Sequence, residues 1–218
     1  FFWISMIILK KSFSSSENTS ILFSSAAAAL FFSLHPLRVE SVAWVSERRD
    51  VLSGLFYLLT LLVYLHRHVN NKARLPWSLL NLFLFLCALL SKVSTIVLNC
   101  ILLLIDIYPL NRLSPNPLRW KNKKEVLWEK SPYFILAFLA GAFGTYLNAR
   151  GDFVLTLEKE SILSRIAQST YGLMFYGYKT ILPFGLSPLY ERPELINWLQ
   201  PQFLLSMILF SGLVGYLF

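Results

Sequence analysis

Long apolar runs separated by short polar connectors occupy most of this sequence. Hydrophobic residues make up 56% of the chain and charged residues only 15%, which is far from the composition of a soluble globular protein. A helix that crosses a membrane needs about 20 predominantly apolar residues. The pattern therefore predicts an all-α fold, a polytopic bundle of transmembrane helices.

The apolar runs give the predicted spans, of which the first and the last are truncated: about 1–9, 20–35, 51–65, 76–91, 93–109, 131–148, 163–182 and 202–218. The chain begins with Phe1, not Met, and its last run stops in mid-span, so we expect it to be one piece, 1–218, of a longer membrane domain. The runs 76–91 and 93–109 leave room for only a tight turn near Lys92.

The distribution of charge predicts which connectors share a side of the membrane. The basic connectors are Lys10-Lys11, His66–Arg74 and Asn111–Lys130, and two predicted spans separate each from the next. The positive-inside rule places all three in the cytoplasm and the connectors 35–50 and 149–161 outside. The same rule explains the net charge of +8, and we expect no nucleic-acid partner because no basic stripe with interleaved aromatic residues lies outside these connectors.

The outward connector 35–50 is unusually polar for a segment between two spans. Val39, Val42 and Ala43 recur at helical spacing and form a narrow apolar stripe. The opposite face would carry polar and aromatic side chains: Glu40, Trp44, Glu47 and Arg48. This pattern predicts a short interfacial helix near 36–48 on the membrane surface.

The run 163–182 carries more polar side chains than a lipid-facing helix tolerates. It predicts either a helix that lines a wet cavity or a re-entrant helix. The segment after it is rich in Pro and Gly, and the sequence leaves the side of the 183–201 loop open.

Several segments resemble, in order and at similar spacing, the membrane half of the transmembrane-and-tetratricopeptide-repeat proteins, above all the bacterial members. They are His35–Ser53 (HPLRVESVAWVSERRDVLS), Leu90–Lys92 (LSK), Leu102–Arg112 (LLLIDIYPLNR), Trp128–Pro132 (WEKSP) and Tyr178–Pro183 (YKTILP). The His-Pro-x-x-x-Glu and Ser-Lys elements are the most specific parts.

This resemblance implies a glycosyltransferase of the GT-C type. It implies a polyprenyl-phosphate sugar as donor and a protein or glycan as acceptor. The eukaryotic relatives are O-mannosyltransferases of the endoplasmic reticulum, so the chain is expected in that membrane or in a bacterial inner membrane, with its active-site loops lumenal or periplasmic. The family's catalytic acidic residue lies in an outward loop upstream of Phe1, and its tetratricopeptide repeats follow the membrane domain.

Transfer from a lipid phosphate requires a carboxylate to take the acceptor proton and cations to stabilise the leaving phosphate. The outward cations Arg38, Arg48 and Lys92 are the candidates for the phosphate. Each of them has an equally simple alternative role, in which a long side chain extends from a helix end to the lipid head groups. That alternative is favoured for Arg49.

Glu40 is the candidate catalytic carboxylate in the chain, with an ion pair to Arg38 or Arg48 as the favoured alternative. Trp44 is a candidate for stacking on a sugar ring or a prenyl chain. His35 either starts the surface helix with Pro36 or binds substrate.

Residues outside the 35–50 connector complete the set. Further candidate substrate-binding residues lie in the polar run: Arg165, Tyr178 and Lys179. Asp50 is predicted to cap the following helix, and Asp106 to pair with a neighbouring helix. No metal-ligand spacing is found, no cofactor is predicted, and the need for a divalent metal stays open.

Two other function classes fit the same sequence. A non-catalytic membrane anchor for a repeat domain would show the same hydropathy. A lipid-linked sugar flippase would show internal repeats and broken helices at mid-membrane, and we find no repeat between the two halves.

The predicted sidedness can be tested by thiol labelling. In a variant without Cys87 and Cys100, cysteines at Asn70 and Asn122 are expected to be shielded from an impermeant thiol reagent in intact cells, whereas a cysteine at Asp152 is expected to react. Labelling at position 70 without labelling at position 152 would overturn the topology.

Overall fold

A computed structural model of the chain describes residues 1–13, 17–69, 75–116, 120, 123–150, 161–187 and 198–217. In these ranges every regular element is helical, which confirms the predicted all-α class. The α-helices are α1 (Phe2–Ser12), α2 (Asn18–Leu34), α3 (Val39–Ala43), α4 (Arg48–Val69), α5 (Leu75–Ser91), α6 (Leu98–Ile107), α7 (Lys124–Arg150), α8 (Ile162–Ile181) and α9 (Pro201–Leu217). Short 3-10 turns are at Pro36–Arg38, Val45–Glu47 and Val93–Val97.

The chain divides into two compact units. Unit 1 comprises Phe1–Leu34 and Ser41–Leu147, and unit 2 comprises His35–Glu40 and Asn148–Phe218. Each predicted apolar run contains a helix. Away from water, the backbone N–H and C=O groups of an apolar segment must bond to each other, and a helix satisfies them within the segment.

One helix of the described residues, Arg48–Val69, is long and apolar enough to cross a membrane. A second span exists if α2 and Pro36–Ala43, which meet at a bend of 51°, are counted as one. The shorter apolar helices are Leu75–Ser91, Val93–Ile107 and Pro201–Leu213. The number of crossings in the predicted bundle therefore stays a prediction.

The prediction of one continuous interfacial helix over 36–48 is wrong. The segment forms a 3-10 turn, the five-residue helix α3 and a second 3-10 turn, with Trp44 extended between them at φ −88° and ψ 115°. Val39 and Val42, the main members of the predicted stripe, are 61% and 76% exposed. The extended backbone at Trp44 interrupts the i→i−4 hydrogen bonds of a continuous helix, so the segment forms three short pieces.

The tight turn predicted near Lys92 is present. Lys92 alone separates α5 from the 3-10 turn Val93–Val97, and its backbone is extended at φ −156° and ψ 120°. The Lys92 carbonyl accepts hydrogen bonds from the backbone and the hydroxyl of Thr95 at 3.1 and 2.7 Å. The turn is therefore fixed from within.

An apolar core joins the helices of unit 1. It contains Ile4, Leu61, Tyr64, Leu65, Phe85, Leu89, Leu98, Leu102, Ile105, Tyr133 and Ala137. Amide side chains bridge the helices within it: Asn81 on α5 donates to the Thr60 carbonyl on α4 at 2.7 Å and accepts from the Tyr133 hydroxyl on α7 at 2.7 Å. Such interhelical hydrogen bonds hold apolar helices together where lipid offers no polar partner.

A network of buried charges closes one end of unit 1, and Asp106 lies at its centre. The Asp106 carboxylate is fully buried and accepts the Tyr64 hydroxyl at 2.7 and 2.8 Å. It also pairs with Arg112 Nη1 and Lys130 Nζ, each at 2.9 Å. The sequence predicts Asp106 as a structural partner of a neighbouring helix, and these contacts confirm it.

Glu129 forms the second acidic centre of this network. Its carboxylate accepts from Arg67 Nη1 at 3.1 Å and Arg112 Nη2 at 2.6 Å, and its Oε1 lies 3.1 Å from His68 Nε2. Burial opposes the charge on Glu129, but the hydrogen bonds from His68 and Arg112 outweigh it and hold the pKa of Glu129 well below its usual range. Glu129 thus stays charged at neutral pH.

The predicted C-terminal boundary of the loop Asn111–Lys130 is wrong. Helix α7 already begins at Lys124, and Lys130 is 1% exposed. Because its ammonium pairs with buried Asp106, a lysine that composition assigns to a cytoplasmic loop is part of the core.

We expect Lys130→Met to destabilise the protein by about 3–5 kcal/mol, because it leaves the buried Asp106 short of positive charge. Unfolding in detergent measures the loss. The control is Lys123→Met, which changes an exposed lysine just before α7 and is expected to have little effect. Adding Asp106→Asn to Lys130→Met is expected to restore part of the stability. Equal loss of stability in Lys130→Met and in the control Lys123→Met would contradict the pairing of Lys130 with Asp106.

Candidate functional site

The candidate site lies at the end of unit 1 opposite the buried network along α4. Lys92, in the turn after α5, reaches the first turn of α4 and forms an ion pair with Asp50. The Lys92 side chain is 35% exposed and that of Asp50 is 23% exposed. The pair is therefore anchored in the fold and still open to a ligand.

Arg48 is the first residue of α4 and lies two residues before Asp50. Its side chain is exposed. The structure thus brings two of the predicted phosphate-binding cations, Arg48 and Lys92, to the same end of unit 1. Arg49 is 65% exposed and lies 3.8 Å from Glu47, in agreement with the surface role favoured for it.

The predicted capping role of Asp50 is wrong. Helix α4 begins at Arg48, so Asp50 lies within its first turn and does not cap it. Its carboxylate binds Lys92 instead. Only the predicted sidedness, which places both residues outside, points to this pairing, because residues 42 positions apart share no periodic pattern.

The helix break at Trp44 separates other predicted partners. Trp44 is 53% exposed and follows α3, whereas Arg48 starts α4, so the common helical face predicted for them does not form. Arg38 is exposed at the end of a 3-10 turn. The side chain of Glu40 lies outside the described residues.

His35 has protein partners on both ring nitrogens. Nδ1 accepts from the Leu37 backbone N–H at 3.2 Å, and Nε2 lies 3.0 Å from the Thr180 carbonyl. An acceptor at Nδ1 and a donor at Nε2 describe a neutral imidazole that starts the Pro36–Arg38 turn. The predicted role of Pro36 in the first turn is confirmed, and a substrate would have to displace one of these bonds to reach the ring.

The remaining candidates lie on α8 in unit 2. Lys179 donates to the carbonyls of Phe184 and Gly185 at 2.5 and 3.2 Å and so closes the turn after the helix. Gly185 has a φ of 58°, which favours glycine. Tyr178 is exposed and Arg165 is partly buried.

In the part of the chain that the structure describes, no group of three or more His, Cys, Asp or Glu side chains is arranged to hold a metal ion. The chemistry available at the Arg48 and Lys92 end is that of a cationic surface beside a carboxylate. Such a surface binds phosphate through charge-assisted hydrogen bonds, from Arg in bidentate geometry and from Lys as a point charge.

Comparison with known proteins finds similarity to protein O-mannosyl-transferases. The chain is 31% identical over 93 residues to Protein O-mannosyl-transferase tmtc2 of Xenopus laevis, which covers 41% of this chain and 11% of that protein. It is 35% identical over 95 residues to Protein O-mannosyl-transferase TMTC4 of Mus musculus, which covers 41% of this chain and 13% of that protein. For TMTC4 of Homo sapiens, the identity is 41% over 73 residues, which covers 31% of this chain and 10% of that protein.

No family model and no solved structure matches the chain. The similarity to the three relatives supports the resemblance found in the sequence. The matched regions span only 10% to 13% of the length of these relatives.

The pairing of Lys92 with Asp50 predicts a specific change in reactivity. We expect Asp50→Asn to cost at most about 1 kcal/mol of stability, because a partly exposed pair is weak. The freed Lys92 is expected to react faster with an amine-acylating reagent, as followed by peptide mass spectrometry.

The matched control is Glu47→Gln, which breaks the exposed pair with Arg49 and leaves Lys92 unchanged. Equal Lys92 labelling in the two variants, or a loss of several kcal/mol in Asp50→Asn, would show that the pair is not an accessible surface pair.

Proposed function

We propose that this chain is part of the membrane domain of a GT-C glycosyltransferase that transfers a sugar from a polyprenyl-phosphate donor to a protein or glycan acceptor on the outer face of the membrane. The similarity to protein O-mannosyl-transferases over up to 41% of the chain supports this class, and mannose is the sugar that their names suggest. We assign the chain to a bacterial-type member in the inner membrane, with the endoplasmic reticulum as the membrane of a eukaryotic protein. Tetratricopeptide repeats would follow the membrane domain.

The observation that carries the proposal is the cationic end of unit 1. Arg48 is exposed at the start of α4, and Lys92 is held near it by Asp50. When the sugar leaves the donor, the bond between its anomeric carbon and the phosphate oxygen breaks, and the electron pair stays on the phosphate. Arg48 and Lys92 stabilise the charge that grows there.

Asp50 acts as a positioning residue for Lys92. Without it, the long lysine side chain would sample many rotamers, and ordering one such side chain costs up to about 2 kcal/mol. The ion pair orders Lys92 before the donor arrives. A lipid phosphate can then share the ammonium with the carboxylate, because an ammonium has three donors.

The acceptor hydroxyl must lose its proton as it attacks the anomeric carbon. Glu40 is the candidate base in this chain. Trp44, which is exposed, offers a ring on which a sugar or a prenyl chain can stack. Arg38 remains a further candidate for the donor phosphate, and His35, Arg165, Tyr178 and Lys179 for substrate contacts in unit 2.

We expect Arg48→Ala and Lys92→Ala each to lower sugar transfer by about 10²-fold or more, because each removes a group that stabilises leaving-group charge. The assay uses the complete open reading frame that contains this chain, in membranes with a polyprenyl-phosphate mannose donor. Arg49→Ala is the matched control: it removes a neighbouring exposed arginine and is expected to leave turnover nearly unchanged.

A fold check separates loss of chemistry from loss of protein. Both variants are expected to insert and to unfold at the wild-type temperature within a few degrees, since the altered residues are exposed or in a weak pair. Unchanged turnover in both would remove these cations from the reaction. Absence of sugar transfer by the wild-type protein would instead favour a non-catalytic anchor or a flippase.

A further inference from the structure

The first two turns of α7 carry a second surface feature, separate from the Arg48 and Lys92 end. Lys124, Leu127, Trp128 and Ser131 line an open groove of about 290 Å³. Their spacing of three, four and seven residues places them in one stripe of the helix. Trp128 is 75% exposed, so a large aromatic ring lies on the surface with only part of its area packed.

The opposite side of the same turns fixes the groove in place. Val126 and Lys130 are buried, and Glu129 is bound to Arg67 and Arg112. Because these contacts hold α7 against the rest of unit 1, Trp128 is presented outward by a rigid scaffold. The groove therefore exists before any ligand binds.

Its charge and polarity point to one class of occupant. Lys124 starts the helix, Lys121 and Lys123 precede it in the sequence, and Glu125 is the acidic residue of the first turn. Cations beside an exposed Trp and a leucine match the depth at which lipid phosphates meet acyl chains. The predicted span 131–148 begins three residues after Trp128, which places the groove at a membrane boundary.

We propose that this groove binds an anionic phospholipid, with the lipid phosphate against Lys124 and an acyl chain along Leu127 and Trp128. The positive-inside rule places this end of unit 1 at the cytoplasmic leaflet, where anionic head groups attract basic segments. The lipid would anchor the start of α7, and through Glu129 and Lys130 it would stabilise the buried network. Neither the binding of this lipid nor its stabilising effect depends on sugar transfer.

Native mass spectrometry of the complete protein that contains this chain, in detergent and titrated with phosphatidylglycerol or phosphatidylcholine, tests the proposal. We expect wild-type protein to retain phosphatidylglycerol preferentially. Lys124→Gln is expected to weaken that binding about fivefold, the effect of one basic residue at an anionic surface. Lys124→Gln combined with Trp128→Ala is expected to weaken it further.

The control combines Lys10→Gln with Trp3→Ala, which makes the same two changes at exposed positions of α1. It is expected to keep wild-type binding. The proposal is overturned if the two lipids bind equally, if the control loses as much as the groove variant, or if Lys124→Gln changes nothing. The single lysine variant keeps the test valid if the double variant does not fold, since its side chain is exposed and its removal leaves no cavity.

Discussion

The buried carboxylate of Asp106 sets the geometry of unit 1. An unpaired charge in an apolar interior is too costly to persist, so every helix near Asp106 must supply a partner. Tyr64 comes from α4, Lys130 from α7 and Arg112 from the connector between α6 and α7. Three segments are therefore held in one arrangement, since moving any of them would leave charge uncompensated.

Helix α4 connects the two polar ends of unit 1. Asp50 binds Lys92 in its first turn, and Tyr64, Arg67 and His68 enter the buried network at its other end. The fourteen residues from Asp50 to Tyr64 span about 21 Å of helix, and the side chains between them are mostly apolar. Charge at both ends of an apolar middle is the distribution expected of a helix that crosses a hydrocarbon layer.

Sequence reasoning locates the helices well because hydrophobic runs carry a strong local signal. It fails where the determining contact is distant in sequence. Lys130 follows the exposed Lys123 and Lys124 in the same basic stretch of sequence. Only its contact with Asp106 in the folded chain makes it a core residue. The partner of Asp50 is likewise distant, because Lys92 lies 42 residues away in the turn after α5, whereas a helix cap is a local feature. The break at Trp44 is not predicted because a helical stripe indicates periodicity but does not show where the backbone leaves the helix.

The two ends of α4 differ in burial, and this difference separates stability from function. At the Asp106 end, the side chains of Asp106 and Lys130 are 0% and 2% exposed, so water cannot replace a lost partner and this pair cannot exchange a member for a ligand at low cost. At the Asp50 end, water already reaches the pair, so breaking or sharing it costs little. A phosphate can therefore recruit Lys92 there without disturbing the helices, whose positions are fixed from the other end. The transferase proposed above would bind and release a charged lipid on every turnover, and it would need this combination of a rigid frame and an exchangeable ion pair.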